Sequence, residues 1–243
     1  MQFTRIIVIA VLDLICHLLY ADTFLFVAKK QSYLQDWFIN ENTTRLRNQS
    51  LVECVSQCGV LVECMSISHR RSTNECLGLN NGYIVRPPGL GYSSAGWGYY
   101  LVHNARCLDA ADYVFSKVFN SCYTVHSYDN TLGYDNYSQI CESEGGELMK
   151  IDSDEKQQHI VTFLGQFEIS DWIVIQGTHL ISEIAWRYND GSIISYFNWH
   201  PTQPDVSVFG PLEYLCMKKS DLYQWHDCWG TMKGAFLCEK EIE

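Results

Sequence analysis

Two oxygen-bearing tripeptides lie close to a pair of cysteines in the C-terminal part of this 243-residue chain. Gln203-Pro204-Asp205 precedes Cys216, and Trp225-His226-Asp227 runs straight into Cys228. A hard cation such as calcium takes about six to eight oxygen ligands, so carboxylates and amide carbonyls have to converge on one loop face. Gln203 and Asp205 supply two donors if the Gln203-Pro204 bond is cis. A cis peptide reverses the chain and aims the flanking side chains the same way, and only an X-Pro bond makes it cheap. Asp227 offers a third donor and Glu213 a fourth. His226 is a softer, poorer donor for calcium than an amide oxygen. In isolation Gln-Pro-Asp is also an ordinary turn, with proline fixing the backbone and aspartate bonding nearby amides. The elements that carry these residues must therefore decide.

The cysteines bound those elements. Eleven are present, at 16, 54, 58, 64, 76, 107, 122, 141, 216, 228 and 238. Cys16 falls in residues 1–21, where Arg5 precedes an apolar run ending at Ala21, the pattern of a cleaved signal peptide. Asp13 and His17 interrupt that run, which argues against a permanent membrane span. Without this segment ten of the eleven cysteines remain. An even set in an exported chain points to disulfides, an oxidising compartment and secretion. Sequons at Asn42, Asn48 and Asn136 are glycosylation candidates there. The formal charge of -11 opposes binding to nucleic acid or heparin.

Residues 22–104 read as a helix beside a hairpin. Ser50 and Glu53 fit a capping box. Leu51 and Val55 share one helical face, Cys54 and Cys58 a neighbouring one, and Gly59 is the expected stop. Residues 64–68 and 75–79 read as strands around a polar turn, and residues 97–102 as a final aromatic strand after an irregular Pro/Gly/Ser-rich loop at 85–96. Spacing alone leaves all three connectivities of four cysteines open. A two-cysteine helix beside a hairpin carrying Cys64 and Cys76 resembles the PAN or apple module. That resemblance implies nested pairs, Cys54 with Cys76 and Cys58 with Cys64, in a binding or assembly module with no catalytic residues.

From Cys107 the pattern changes. A strand at 122–125 leads to a helix at 136–144 that carries Cys141 and ends at Gly145-Gly146; a short strand at 147–151 follows. Asp152 with Glu155 is expected to cap a second helix, whose Ile160, Phe163 and Leu164 make one apolar face before Gly165 ends it. This order resembles a C-type lectin domain of the long form. Trp172-Ile173-Val174-Ile175 stands where that family has a Trp-Ile-Gly-Leu strand, residues 186–191 match its tryptophan and Asp-Gly turn, and residues 236–240 its last strand. The fold class implied is α+β: a PAN/apple-like module at 22–104, then a C-type lectin-like fold at 107–243 with two helices, two small antiparallel sheets and an irregular loop region. The resemblance implies disulfides Cys141–Cys238, Cys216–Cys228 and Cys107–Cys122.

It also implies chemistry for the two tripeptides. In that family two vicinal sugar hydroxyls complete the shell of a calcium ion, and Gln-Pro-Asp is the version associated with galactose and N-acetylgalactosamine. Carried onto this chain, the metal ligands are Gln203, Asp205, Glu213 and Asp227, and the carbohydrate-binding residues Gln203, Asp205, Phe209, His226 and Asp227. Phe209 ranks ahead of Trp225 and Tyr223 as the aromatic that stacks on the sugar, and Trp172, Trp186 and Trp199 read as core. Four features of the site depart from the family pattern: His226 replaces the usual Asn, Cys228 follows Asp227 directly, Glu213 sits one residue further from Cys216 than the usual ligand, and Val206 follows the tripeptide where galactose binders often place an aromatic. The leading reading is a secreted calcium-dependent lectin for galactose-type glycans or glycoproteins, self-associating for avidity. The alternative is a calcium-independent protein-interaction protein on the same scaffold. No H-E-x-x-H, C-x-x-C or G-x-S-x-G pattern supports an enzyme.

Overall fold

The computed structural model describes residues 5–8, 26–40, 43–46, 48–104, 107, 113–127, 133–180, 185–205 and 212–242. Phe209, Asn42, Cys16 and most of the expected leader lie outside these. The chain divides into two units, residues 1–122 with 242 and residues 123–241 with 243. No helix among the described residues is long and apolar enough to cross a membrane.

In the first unit the strands are β1 (Arg5–Val8), β2 (Phe26–Lys30), β3 (Trp37–Phe38), β4 (Thr43–Arg45), β5 (Ser66–Arg70), β6 (Glu75–Leu79), β7 (Tyr92–Ser93), β8 (Trp97–Asn104) and β9 (Val114–Ser116), with helix α1 (Leu51–Val60) before β5. Six strands form one sheet in the order β1-β2-β8-β5-β6-β4, and β3 pairs with β7. The capping box at the start of α1 is complete. Ser50 Oγ accepts the Glu53 N–H, and the Glu53 carboxylate accepts the Ser50 N–H at 2.9 Å. Gly59 does not stop the helix. It is buried in the last turn, and the helix ends at Leu61, where the backbone becomes extended. Lys117 donates to the carbonyls of Cys58, Leu61 and Cys64, placing a cation at the negative end of the helix dipole. Burial pushes the Lys117 ammonium down to about 8.

Cys54–Cys76 and Cys58–Cys64 are the two disulfides that staple α1 to the hairpin of β5 and β6. Around them Val55, Ile67, Val102, Ala28 and Leu46 form one buried cluster. The expected strand at 64–68 begins two residues later, at Ser66, because Cys64 is still held in the turn by its N–H on Leu61 O.

The second unit contains most of β10 (Ser121–Ser127), then α2 (Tyr134–Ser143), β11 (Glu147–Leu148), α3 (Asp154–Leu164), β12 (Trp172–Leu180), β13 (Leu212–Lys218), β14 (Gln224–Cys228) and β15 (Ala235–Glu241). Gly145, at φ +80°, and Gly146 close α2 through bonds from their N–H groups to Glu142 and Cys141. The cap of α3 is Ser153, not Asp152. Its hydroxyl accepts the Lys156 N–H, which puts Glu155 inside the first turn. Nor do the strands fall into two small antiparallel sheets. Their path β14-β13-β12-β15-β10 is continuous because β12 and β15 pair in parallel, Ile173 opposite Ala235 and Val174 opposite Phe236.

Ile160, Phe163 and Leu164 of α3 are buried, as are Ile173 and Ile175 of β12, Leu215 and Met217 of β13, and Phe236 and Leu237 of β15. One ion pair is buried with them, Lys156 Nζ to Glu239 Oε1 at 2.7 Å. The cystines Cys141–Cys238 and Cys216–Cys228 form here, and Cys107–Cys122 closes just ahead of this unit.

Candidate functional site

β14 positions the site. Trp225 is fully buried, and its indole N–H donates to Gln157 Oε1 of α3 at 2.9 Å. Alternation along a strand sends neighbouring side chains to opposite faces. His226 and Asp227 must therefore leave β14 on different sides.

The segment 198–203 is seated along β14 by main-chain bonds. Trp225 N–H donates to Asn198 O at 2.7 Å, His200 N–H to Trp225 O at 3.0 Å, and Gln203 N–H to His200 O at 2.8 Å. Beyond it the Gln203-Pro204 bond is cis, as the sequence reading required. Gln203 Oε1 accepts the Asp227 N–H at 3.3 Å, and Asp227 Oδ1 accepts the Asp205 N–H at 3.4 Å. Gln203, Asp205 and Asp227 are thus brought together. Gln203 and Asp227 are half-buried and Asp205 is exposed. Their donors are all oxygens, two carboxylates and one amide carbonyl, which suits a hard cation.

Glu213 is placed differently. It is buried on β13, with Oε2 3.2 Å from Nδ1 of His179, its register partner on β12. The His179 ring in turn stacks on Trp186 at 5.0 Å. His226 is also turned away from the loop oxygens. Its ring stacks on His200 with centroids 5.2 Å apart, and its Nε2 lies 2.9 Å from Asp221 Oδ2. Burial holds its imidazole below the ordinary histidine range, while Asp221 works against that shift. Leu222 and Tyr223 follow Asp221 in left-handed backbone, at φ 56° and 59°, and this turn folds Asp221 back toward β14. Of the expected tryptophans, Trp186 is buried and Trp172 and Trp199 are half-buried. Asn48 and Asn136 are exposed.

The convergence of His200, Asp221 and His226 was not legible in the sequence. Their ligand atoms lie within 4.8 Å of one another. The only local signal was His226 itself, in the place of an expected amide.

Comparison with known proteins finds similarity over the second half of the chain. Residues 130–240 match the family model for the lectin C-type domain. Layilin of Homo sapiens is 26% identical over 141 residues, covering 50% of this chain and 37% of its own length. The C-type mannose receptor 2 of Mus musculus is 26% identical over 145 residues, which cover 60% of this chain and 9% of the receptor. The carbohydrate-recognition domain of the mouse scavenger receptor C-type lectin is 28% identical, with a TM-score of 0.43 over 51% of this chain and 92% of that one. The chain therefore spans well under half the length of these two curated relatives. The stretch that matches the lectin C-type domain model lies within its second unit.

Proposed function

We propose that this chain is a carbohydrate-binding protein that recognises galactose-type glycans through a calcium ion held by Gln203, Asp205 and Asp227. The observation that carries the reading is the interlocked pair of bonds from the Asp227 N–H to Gln203 Oε1 and from the Asp205 N–H to Asp227 Oδ1, which brings these three oxygen-bearing residues to one loop edge. Bound there, calcium would supply open coordination positions for two vicinal hydroxyls. The protein's part is to hold the three side chains in place, with Phe209 the candidate for stacking on the sugar. Glu213 drops out of this ligand set because its carboxylate is engaged by His179. With so few side-chain ligands, affinity belongs to the weak extracellular range, a Kd of about 10⁻⁴ to 10⁻³ M. Weak sites need several copies for useful avidity, so self-association belongs to the same proposal. So do secretion and a PAN/apple-like assembly role for residues 22–104, supported by the nested cystines of α1 and its hairpin.

The test is retention on immobilised galactose in calcium, followed by a chelator wash. Elution by chelator, with Asp227→Asn reducing retention at least tenfold, is the expected result; retention that survives chelation overturns it. A second reading is favoured by the engaged Glu213 and the turned-away His226: a calcium-independent protein-interaction domain. Absence of both galactose retention and calcium heat in a folded chain would select it.

A further inference from the structure

We propose that His200, Asp221 and His226 form a second metal site, separate from the calcium loop, that takes a transition-metal dication of the zinc class. Two imidazoles and one carboxylate place their ligand atoms within 4.8 Å of one another. That donor set suits zinc and its neighbours, whereas calcium takes oxygen almost exclusively. Three protein ligands with a fourth position left to solvent is the arrangement of an open zinc site.

A second observation points the same way. His226 is more than nine-tenths buried, and its Nε2 makes no well-aligned hydrogen bond, although Asp221 Oδ2 is only 2.9 Å away. A buried imidazole nitrogen facing an anion and a stacked second imidazole is a ligand already desolvated and aimed. Thr202 Oγ1 lies 2.9 Å from His200 Nδ1. The Thr202 N–H also points at that nitrogen, at 3.4 Å, and the two contacts hold the His200 ring in place from its Nδ1 edge. His200 and Asp221 are half-buried, so an ion reaches the cluster from solvent.

The other cluster of potential ligands among the described residues, His126, Glu144 and Cys238, is not comparable, because the Cys238 sulfur is spent in the cystine with Cys141. One neighbouring group opposes the proposed ion. Lys218 Nζ sits 3.1 Å from Asp221 Oδ2 and 5.3 Å from the centroid of the Trp172 ring. A carboxylate has two oxygens, so Asp221 can keep Lys218 on one and ligate with the other. The site joins the segment leading into Gln203 to the strand carrying Asp227, so an ion there would clamp the base of the calcium loop.

The experiment is calorimetric titration of the full chain with zinc in excess calcium, which saturates the oxygen loop. A parallel cobalt titration reads ligand-field absorption in the visible. One zinc per chain and a cobalt spectrum of low-coordinate nitrogen and oxygen ligation are expected. His200→Gln and Asp221→Asn should each weaken zinc at least tenfold and abolish the cobalt band, while Lys218→Met should tighten zinc severalfold by removing a nearby positive charge. Thermal melts without metal report whether each variant is folded. Because His200 and Asp221 are partly exposed, their variants keep the fold even where a change at buried His226 would not. Absence of zinc heat, or zinc affinity unchanged in both folded variants, overturns the proposal. Asp227→Asn separates the two sites: it should abolish calcium heat and leave zinc binding within threefold.

Discussion

The two units are held by cross-links of opposite reach. In the first, Cys58–Cys64 spans 6 residues and Cys54–Cys76 spans 22, so both tie α1 to the hairpin that follows it. In the second, Cys141–Cys238 spans 97 residues and joins α2 to the last strand. On the chain-entropy account a closed loop restricts the unfolded chain more as it lengthens. The first unit is therefore locally stapled, whereas the second has its two ends gathered so that β14 and the loop beside it sit on a closed frame. The difference shows where a binding surface can be built: on a unit whose ends are tied, a peripheral loop can hold polar side chains without also having to hold the fold together.

The largest expected effect breaks this contrast directly. Replacing Cys141 and Cys238 by alanine should cost roughly 4–5 kcal/mol, against roughly 2 kcal/mol for Cys58 and Cys64, from the loop-length dependence of disulfide stabilisation. Denaturant unfolding followed by hydrogen exchange in each unit measures both. Equal losses would remove the distinction.

Acid sharpens it next. His103 on β8 is fully buried, neither ring nitrogen has a hydrogen-bond partner among the described residues, and burial depresses it to about 4. His159 on α3 is likewise held at about 4 by burial, but its Nε2 meets the Tyr123 hydroxyl at 2.6 Å. His103 is buried and His159 half-buried, and both are held neutral. In the unfolded chain they take up a proton near 6.5, before the folded form does, so each contributes stability that is complete above that pH and declines as pH falls toward 4. The loss is on the order of 3 kcal/mol per histidine. Amide protection factors, which divide out the intrinsic pH dependence of exchange, should fall in both units as the pH drops from about 7 to about 4. His103→Leu should flatten the dependence in the first unit alone.

The smallest effect compares helix starts. Ser50 and Glu53 exchange two bonds at α1, whereas Ser153 makes one at α3. Ser50→Ala should cost about 1 kcal/mol and Ser153→Ala less, read as lost amide protection in the first turn of each helix.

Local order was legible where local chemistry sets it: the Ser50 box, the Gly145 turn and the β6 strand follow from residues close in sequence. The five cystine pairs came from family resemblance, since spacing leaves connectivity open. What was not legible depends on partners distant in the chain. Glu213 is engaged by His179, which is 34 residues away and adjacent only because β12 and β13 pair. Asp221 reaches His226 through two left-handed residues that no turn signal announces, Leu222 and Tyr223 being neither glycine nor asparagine. Ser153 displaced Asp152 as the cap of α3 because either residue satisfies the same preference, and only the backbone chooses.

The two bonds that seat residues 198–200 along Trp225 of β14, from the Trp225 N–H to Asn198 O and from the His200 N–H to Trp225 O, run from main chain to main chain. Peptide groups are the same whatever residue carries them, so these two bonds do not depend on the side chains displayed at 203 and 205, and only the further bond from the Asp227 N–H to Gln203 Oε1 does. Vocabulary and binding post are therefore separable here. New tripeptides can be written onto an unchanged mount, and ligand preference can drift across generations of sequence at little expense to the architecture beneath.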